Sequence, residues 1–195
     1  MKKIRKIILA FMLLISIFGC TAVSEDVSTP SGAVVKYLKE VKKNLPQVMN
    51  SASAEIEIPD GFEGFFERIF KSAAQFDYEI INETIEDDQA EVTVKIKTYA
   101  FGNSLTNTFI DFVSQGETLL TAGASEEMLM NLLTQIWTEK VNDEIRKGKQ
   151  YVSTVTIRLE RNENEWLVIS ENEDDLELFN AISGNLYKLM LSYEE

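Results

Sequence analysis

Residues 76–97, FDYEIINETIEDDQAEVTVKIK, hold the pattern on which the fold turns. Phe76, Tyr78 and Ile80 alternate with Asp77 and Glu79. Ile81 follows directly, and Glu86-Asp87-Asp88-Gln89 then forms an acidic turn. Beyond it Ala90, Val92, Val94 and Ile96 alternate with Glu91, Thr93, Lys95 and Lys97. Side chains along a strand point to opposite faces in turn, so this spacing is a β-hairpin with one buried face. The acidic turn lacks the Asp/Asn spacing and the Gly of a calcium loop, so it is expected to be a solvated turn.

A second stretch repeats the pattern. Val155, Ile157 and Leu159 alternate with Thr154, Thr156 and Arg158, Asn162-Glu163-Asn164 turns, and Trp166 and Val168 return. Around the two hairpins the period becomes helical. Thr29-Pro30 offers a hydroxyl cap followed by Pro at the first helical position. Val34, Tyr37, Leu38, Val41 and Leu45 then share one face, with Pro46 expected to end the run. Pro59-Asp60-Gly61 opens a second helix with Phe62, Phe65, Phe66, Ile69, Phe70 and Ala73 inward, a stripe that core packing explains better than a ligand site.

Between the hairpins, Leu105, Phe109, Phe112, Val113 and Leu120 mark one helix, interrupted at Gly123. Ser125 caps the next, with Leu129, Leu132, Leu133, Ile136, Trp137, Val141 and Ile145 inward and Lys147-Gly148 at its end. In the last helix, expected to be capped by Asp175, Leu178, Phe179, Ile182, Leu186, Leu189 and Met190 face inward. The acidic run Glu171–Asp175 suits a helix N-terminus, where negative charge is favourable. Gly184 inside that helix costs about 1 kcal/mol relative to Ala, which points to close packing or a kink. The expected class is α+β: an antiparallel sheet of about four strands against N-terminal helices, with an inserted helical pair and a C-terminal helix.

Composition closes off several functions. The 195 residues include no His and one Cys, which excludes imidazole-based triads, His metal sites and intrachain disulfides. No metal site or cofactor is expected. With 32 acidic against 19 basic residues the formal charge is −13, and nucleic acid is not an expected partner, since phosphate recognition needs clustered Lys and Arg.

The N-terminus reads as a targeting segment. Lys2, Lys3, Arg5 and Lys6 precede Ile7–Phe18, which is apolar throughout except for Ser16. As a helix this run would reach about 18 Å, short of the roughly 30 Å hydrocarbon core of a bilayer. Its end, Ile17-Phe18-Gly19-Cys20, resembles the bacterial lipobox, although Phe18 is bulkier than the usual residue. The resemblance implies a signal peptide over 1–19, lipid on the Cys20 sulfur, and an extracytoplasmic domain held on the cell membrane. Cys20 and the small polar residues to Ser28 would form a tether, and one domain would follow over 29–193. Without the four basic leader residues, the 19 basic become 15 against 32 acidic, a charge of −17. Anionic lipid repels such a domain, so the acyl chains must supply the membrane affinity.

Thr29-Pro30, Val34-Val35-Lys36-Tyr37-Leu38, Phe76–Ile80, Ala90–Val94 and Asn164–Val168, behind the lipobox, together resemble Gram-positive lipoproteins with a nuclear-transport-factor-2-like (cystatin-like cone) domain. This resemblance implies a curved sheet wrapped on helices around a cone, open or filled. Phe66, Phe70, Tyr78, Val94 and Trp166 would line it, and the inserted helical pair or the last helix could plug or cover it. Some cone-fold relatives are enzymes with an inward Asp base and Tyr donors. Here Tyr78, Tyr99 and Tyr151 could supply hydroxyls, but period two points Asp77 away from the apolar face. No catalytic residue is expected. The expected function is a membrane-anchored module that binds a small apolar ligand or a protein partner. An accessory subunit of an envelope complex is the alternative, and a cone-fold enzyme on a small hydrophobic substrate a weaker one.

Overall fold

In a computed structural model that describes residues 26–55, 63–169 and 172–192, the alternating stretch forms β1 (Asp77–Glu86) and β2 (Gln89–Thr98). With β3 (Tyr151–Asn162) and β4 (Glu165–Val168) they make one antiparallel sheet in the order β1-β2-β3-β4. The helices are α1 (Pro30–Glu55), α2 (Glu63–Ala73), α3 (Phe101–Thr121), α4 (Glu126–Lys147), α5 (Asn172–Ile182) and α6 (Leu186–Ser192). The α+β expectation holds, with α3 and α4 inserted between β2 and β3. The leader, Cys20, Pro59-Asp60-Gly61 and Phe62 lie outside the described residues.

The alternation of the sequence becomes one buried sheet face. Val92, Val94, Ile96 and Leu159 are fully buried, and Ala90, Val155, Ile157 and Trp166 nearly so. Helix α1 lies across β2 and β4, and α5 across β2 and β3. Val34 and Leu38 of α1 and Ala181 and Ile182 of α5 are buried in the same cluster. Removing a side chain such as Leu38 from water contributes about 1.5–3 kcal/mol, so this layer dominates the stabilisation.

Ile81 breaks the alternation for a structural reason. Ile80 pairs with Val94 and Asn82 with Thr93, so Ile81 is the extra residue of a β-bulge and is exposed. Past the bulge Glu83, opposite Val92, comes round to the helix side. Its carboxylate accepts from the Ser31 backbone N–H at 2.9 Å and from the Ser31 hydroxyl, at the N-terminus of α1, where negative charge is favourable. Each hairpin turn uses a carboxylate residue at positive φ, Asp87 at 55° and Glu163 at 56°.

The caps follow the sequence. The Thr29 hydroxyl accepts from the Gly32 N–H at 3.1 Å, the Ser125 hydroxyl accepts from Met128 at 3.3 Å, and α4 ends at Gly148 with φ +82°. Other expectations need correction. Helix α1 runs through Pro46 to Glu55 instead of stopping there. A Pro inside a helix removes one N–H donor, and the packing of α1 on the sheet outweighs that loss. Within the segment expected as a tether, 20–28, the described part begins at Asp26. Val27 is half-buried against the core, and its carbonyl accepts from the Trp166 N–H at 2.9 Å, so the chain is docked from Val27 onward. Asp175 is not a cap but a residue within α5. The last helix is two helices, because Gly184 and Asn185 both adopt positive φ, 62° and 66°. The Gly184 carbonyl accepts from the Gly102 N–H at 2.9 Å, and a Cβ on Gly184 would sit 1.9 Å from the Tyr99 carbonyl oxygen. Close approach to the start of α3 therefore requires glycine there.

Candidate functional site

The five residues named for the cone wall are all drawn into the core, but they do not gather at one place. Phe66 and Phe70 are buried on α2, and the Phe66 ring meets Trp137 of α4 edge-on at 6.0 Å between centroids. Val94 is fully buried at mid-sheet, between Ile80 and Val155. Tyr78 is half-buried, pairs with Ile96, and contacts the Phe76 ring at 6.2 Å. Trp166 is buried at the opposite end of the sheet, beneath the Arg161 guanidinium at 4.6 Å. The rows of Tyr78 and Trp166 are more than 20 Å apart along the strands, at about 3.3 Å per residue. Val34 and Leu38 of α1 and Leu178, Ala181 and Ile182 of α5 are buried in the same cluster as these sheet residues.

Two polar groupings border this core. At the end of the sheet from which α3 leaves, the Lys42 ammonium lies 4.8 Å from the Phe76 ring centre and 5.1 Å from that of Tyr78. Burial pulls its pKa down, the Asp77 carboxylate opposes that fall, and Lys149 adds to it. Asp77 points outward as period two requires and accepts from Lys149 Nζ at 2.7 Å. On the other side of α1, the Tyr37 hydroxyl donates to Asp175 Oδ1 at 3.5 Å. Burial pushes the Tyr37 hydroxyl far above the ordinary phenol range, and the neighbouring Asp175 charge and hydrogen bond push the same way. A phenol held neutral in this way is a structural hydrogen-bond donor at any ordinary pH.

The α3–α4 hairpin differs from the rest of the molecule. Phe101, Leu105, Trp137 and Val141, at its base, belong to the core, where α6 contacts α3 and α2 contacts α4. Further out, Phe109, Val113 and Leu120, the residues that mark α3 in the sequence, are exposed, as are Ile110, Met128 and Met130. Exposure reaches 67% at Val113, 62% at Ile110 and 61% at Leu120. Within the pair, Lys140 bonds Asp111 at 2.5 Å, which holds the Lys140 ammonium above its usual pKa. The period identified an apolar stripe correctly but could not say whether anything covers it. The available signal was the surplus: Ile110, Met128 and Met130 add apolar area beyond the single stripe that two packed helices can bury.

No protein-family model and no curated protein matches the chain. Among solved structures it is similar to a candidate lipoprotein, YcdA, of Bacillus subtilis subsp. subtilis str. 168, with 17% identity and a TM-score of 0.45. The similarity covers 78% of this chain and 47% of that one, so the chain spans about half the length of that protein. Among the described residues no helix is long and apolar enough to cross a membrane.

Proposed function

We propose that the chain is a lipid-anchored extracytoplasmic interaction module that works through its surface on a protein partner, with no catalytic step of its own. The Cys20 lipobox and the basic leader support the anchor. The observation that carries the interaction role is the contrast within the structure. Side chains of α1 and α5 occupy the inner face of the sheet, while the outer half of α3–α4 leaves Ile110, Val113 and Leu120 in water. Contiguous exposed apolar surface of this kind marks contact sites in soluble domains. The nuclear-transport-factor-2-like relationship belongs to this proposal as an ancestry for the sheet-and-helix layer, with its cone filled.

Two measurements test the two halves. Radioactive palmitate should label the wild-type chain in cells and leave Cys20→Ala unlabelled and unprocessed; continued labelling of the variant would remove the anchor. Native mass spectrometry of the full chain released from membranes should show the mass of the lipidated polypeptide alone. A stoichiometric small molecule retained with it would replace the interaction role by ligand binding in the cone.

A further inference from the structure

Gly102, Phe109, Val113 and Leu120 follow one another at intervals of seven, four and seven residues, which places them on a single line along α3. The chain itself shows what seats on that line. At its start lies α6, whose Leu189 side chain is so near Gly102 that a Cβ there would approach it to 2.9 Å. Beyond this contact at Gly102, the line is exposed at Val113 and Leu120.

Charge narrows the occupant. From Thr98 to Glu139 the sequence contains no Lys or Arg, while Glu117, Glu126 and Glu127 are exposed around the outer end of the pair. A second copy would bring identical carboxylates face to face, and an anionic lipid surface would repel them equally. We infer that the outer half of α3–α4 docks a basic amphipathic helix of a partner protein. Its apolar side chains would seat on Val113 and Leu120 of α3, and its Lys or Arg residues would meet Glu117, Glu126 and Glu127. The inference rests on the interaction-module proposal and specifies the chemistry of the partner.

The test uses the full lipidated chain in phosphatidylcholine nanodiscs, with a photo-crosslinking residue at Val113 or, as a control, at the exposed Thr156 on the outer face of the sheet. The probes are two synthetic 18-residue amphipathic helices, one of Leu and Lys and one of Leu and Glu in the same pattern. The Leu/Lys helix should crosslink at Val113 and not at Thr156, and the Leu/Glu helix should crosslink at least about tenfold less. The triple variant Glu117→Lys, Glu126→Lys, Glu127→Lys should lose about tenfold in Leu/Lys crosslinking, equivalent to about 0.5 kcal/mol per exposed pair. These sites are exposed, so each variant should keep the wild-type circular dichroism spectrum. Equal crosslinking by both helices at Val113 would overturn the charge complementarity while leaving the interaction module standing. Leu/Lys crosslinking that is equal at Val113 and Thr156 would overturn the docking site itself. Chain-to-chain adducts or lipid adducts in place of peptide adducts at Val113 would overturn it in favour of a second copy or the bilayer.

Discussion

The sheet layer and the outer half of the α3–α4 hairpin are built from similar apolar residues at equally regular spacings, yet they end in opposite environments. On β2, Val92, Val94 and Ile96 are fully buried because α1 and α5 lie across their face. On α3, Val113 and Leu120 are mostly exposed, far along the helix from the Gly102 end that Leu189 of α6 approaches. Periodicity therefore marks which side of an element avoids water but leaves open whether the fold supplies a cover. Among the described residues, none covers Val113 or Leu120.

The sharpest way to break this contrast is at the joint between the two regions. Gly184→Ala places a Cβ within 1.9 Å of the Tyr99 carbonyl oxygen at a residue with φ +62°. The left-handed backbone alone costs about 1–2 kcal/mol, and relieving the overlap requires α3 to move off the α5–α6 turn. A loss of about 4 kcal/mol is expected, seen as a thermal midpoint lower by roughly 8–16 °C. A change below 3 °C would mean that the joint is pliable.

Truncation of one residue in each region sharpens the comparison directly. Leu38→Ala should cost about 3 kcal/mol, as expected for a fully buried leucine leaving a cavity. Leu120→Ala should stay within about 0.5 kcal/mol of wild type, since its side chain is already in water. Urea titrations measure both, and similar losses would show that the hairpin tip is covered in solution.

The Tyr37 hydroxyl offers a third probe, on the sheet side. Its neutral form is favoured in the folded chain, so its stabilisation is whole below the ordinary phenol pKa of about 10. It declines as pH rises above that value and is gone once the folded group itself ionises. Tyr37→Phe removes the titration, so wild type should lose about 1 kcal/mol relative to the variant between pH 10 and 11. Parallel stability curves would show that the hydroxyl is not held neutral by the fold.

Hydrogen exchange gives the smallest and most local signal. Amides of α3 and α4 near Gly123 should exchange through local opening, ahead of Val92–Ile96, whose exchange should require global unfolding. Equal protection would erase the distinction between the two regions.

Much of the sheet was legible because the information is local. Alternation at Ala90–Ile96 and Val155–Leu159 fixes both the strands and their buried face, whereas only the pairing of β1 with β2 shows that Ile81 is a bulge. The caps at Thr29 and Ser125 were legible for the same reason, each hydroxyl serving an N–H three residues away. Pro46 misled, because one missing N–H weighs less than a helix face seated on a sheet. The cone-wall residues were recognised as apolar and inward, but their spread over more than 20 Å depends on strand register, which spacing alone does not give.

The sequence by itself determined the elements, the buried face of the sheet, the acidic character and the Cys20 motif, since each depends on neighbours within a few residues. Only the tertiary structure decided that α1 outlasts its proline, that Gly184 splits the last helix against Tyr99, and that the apolar line of α3 stays exposed at Val113 and Leu120. Those outcomes depend on contacts between residues tens of positions apart, where packing energy and the reach of one element over another prevail over local preference.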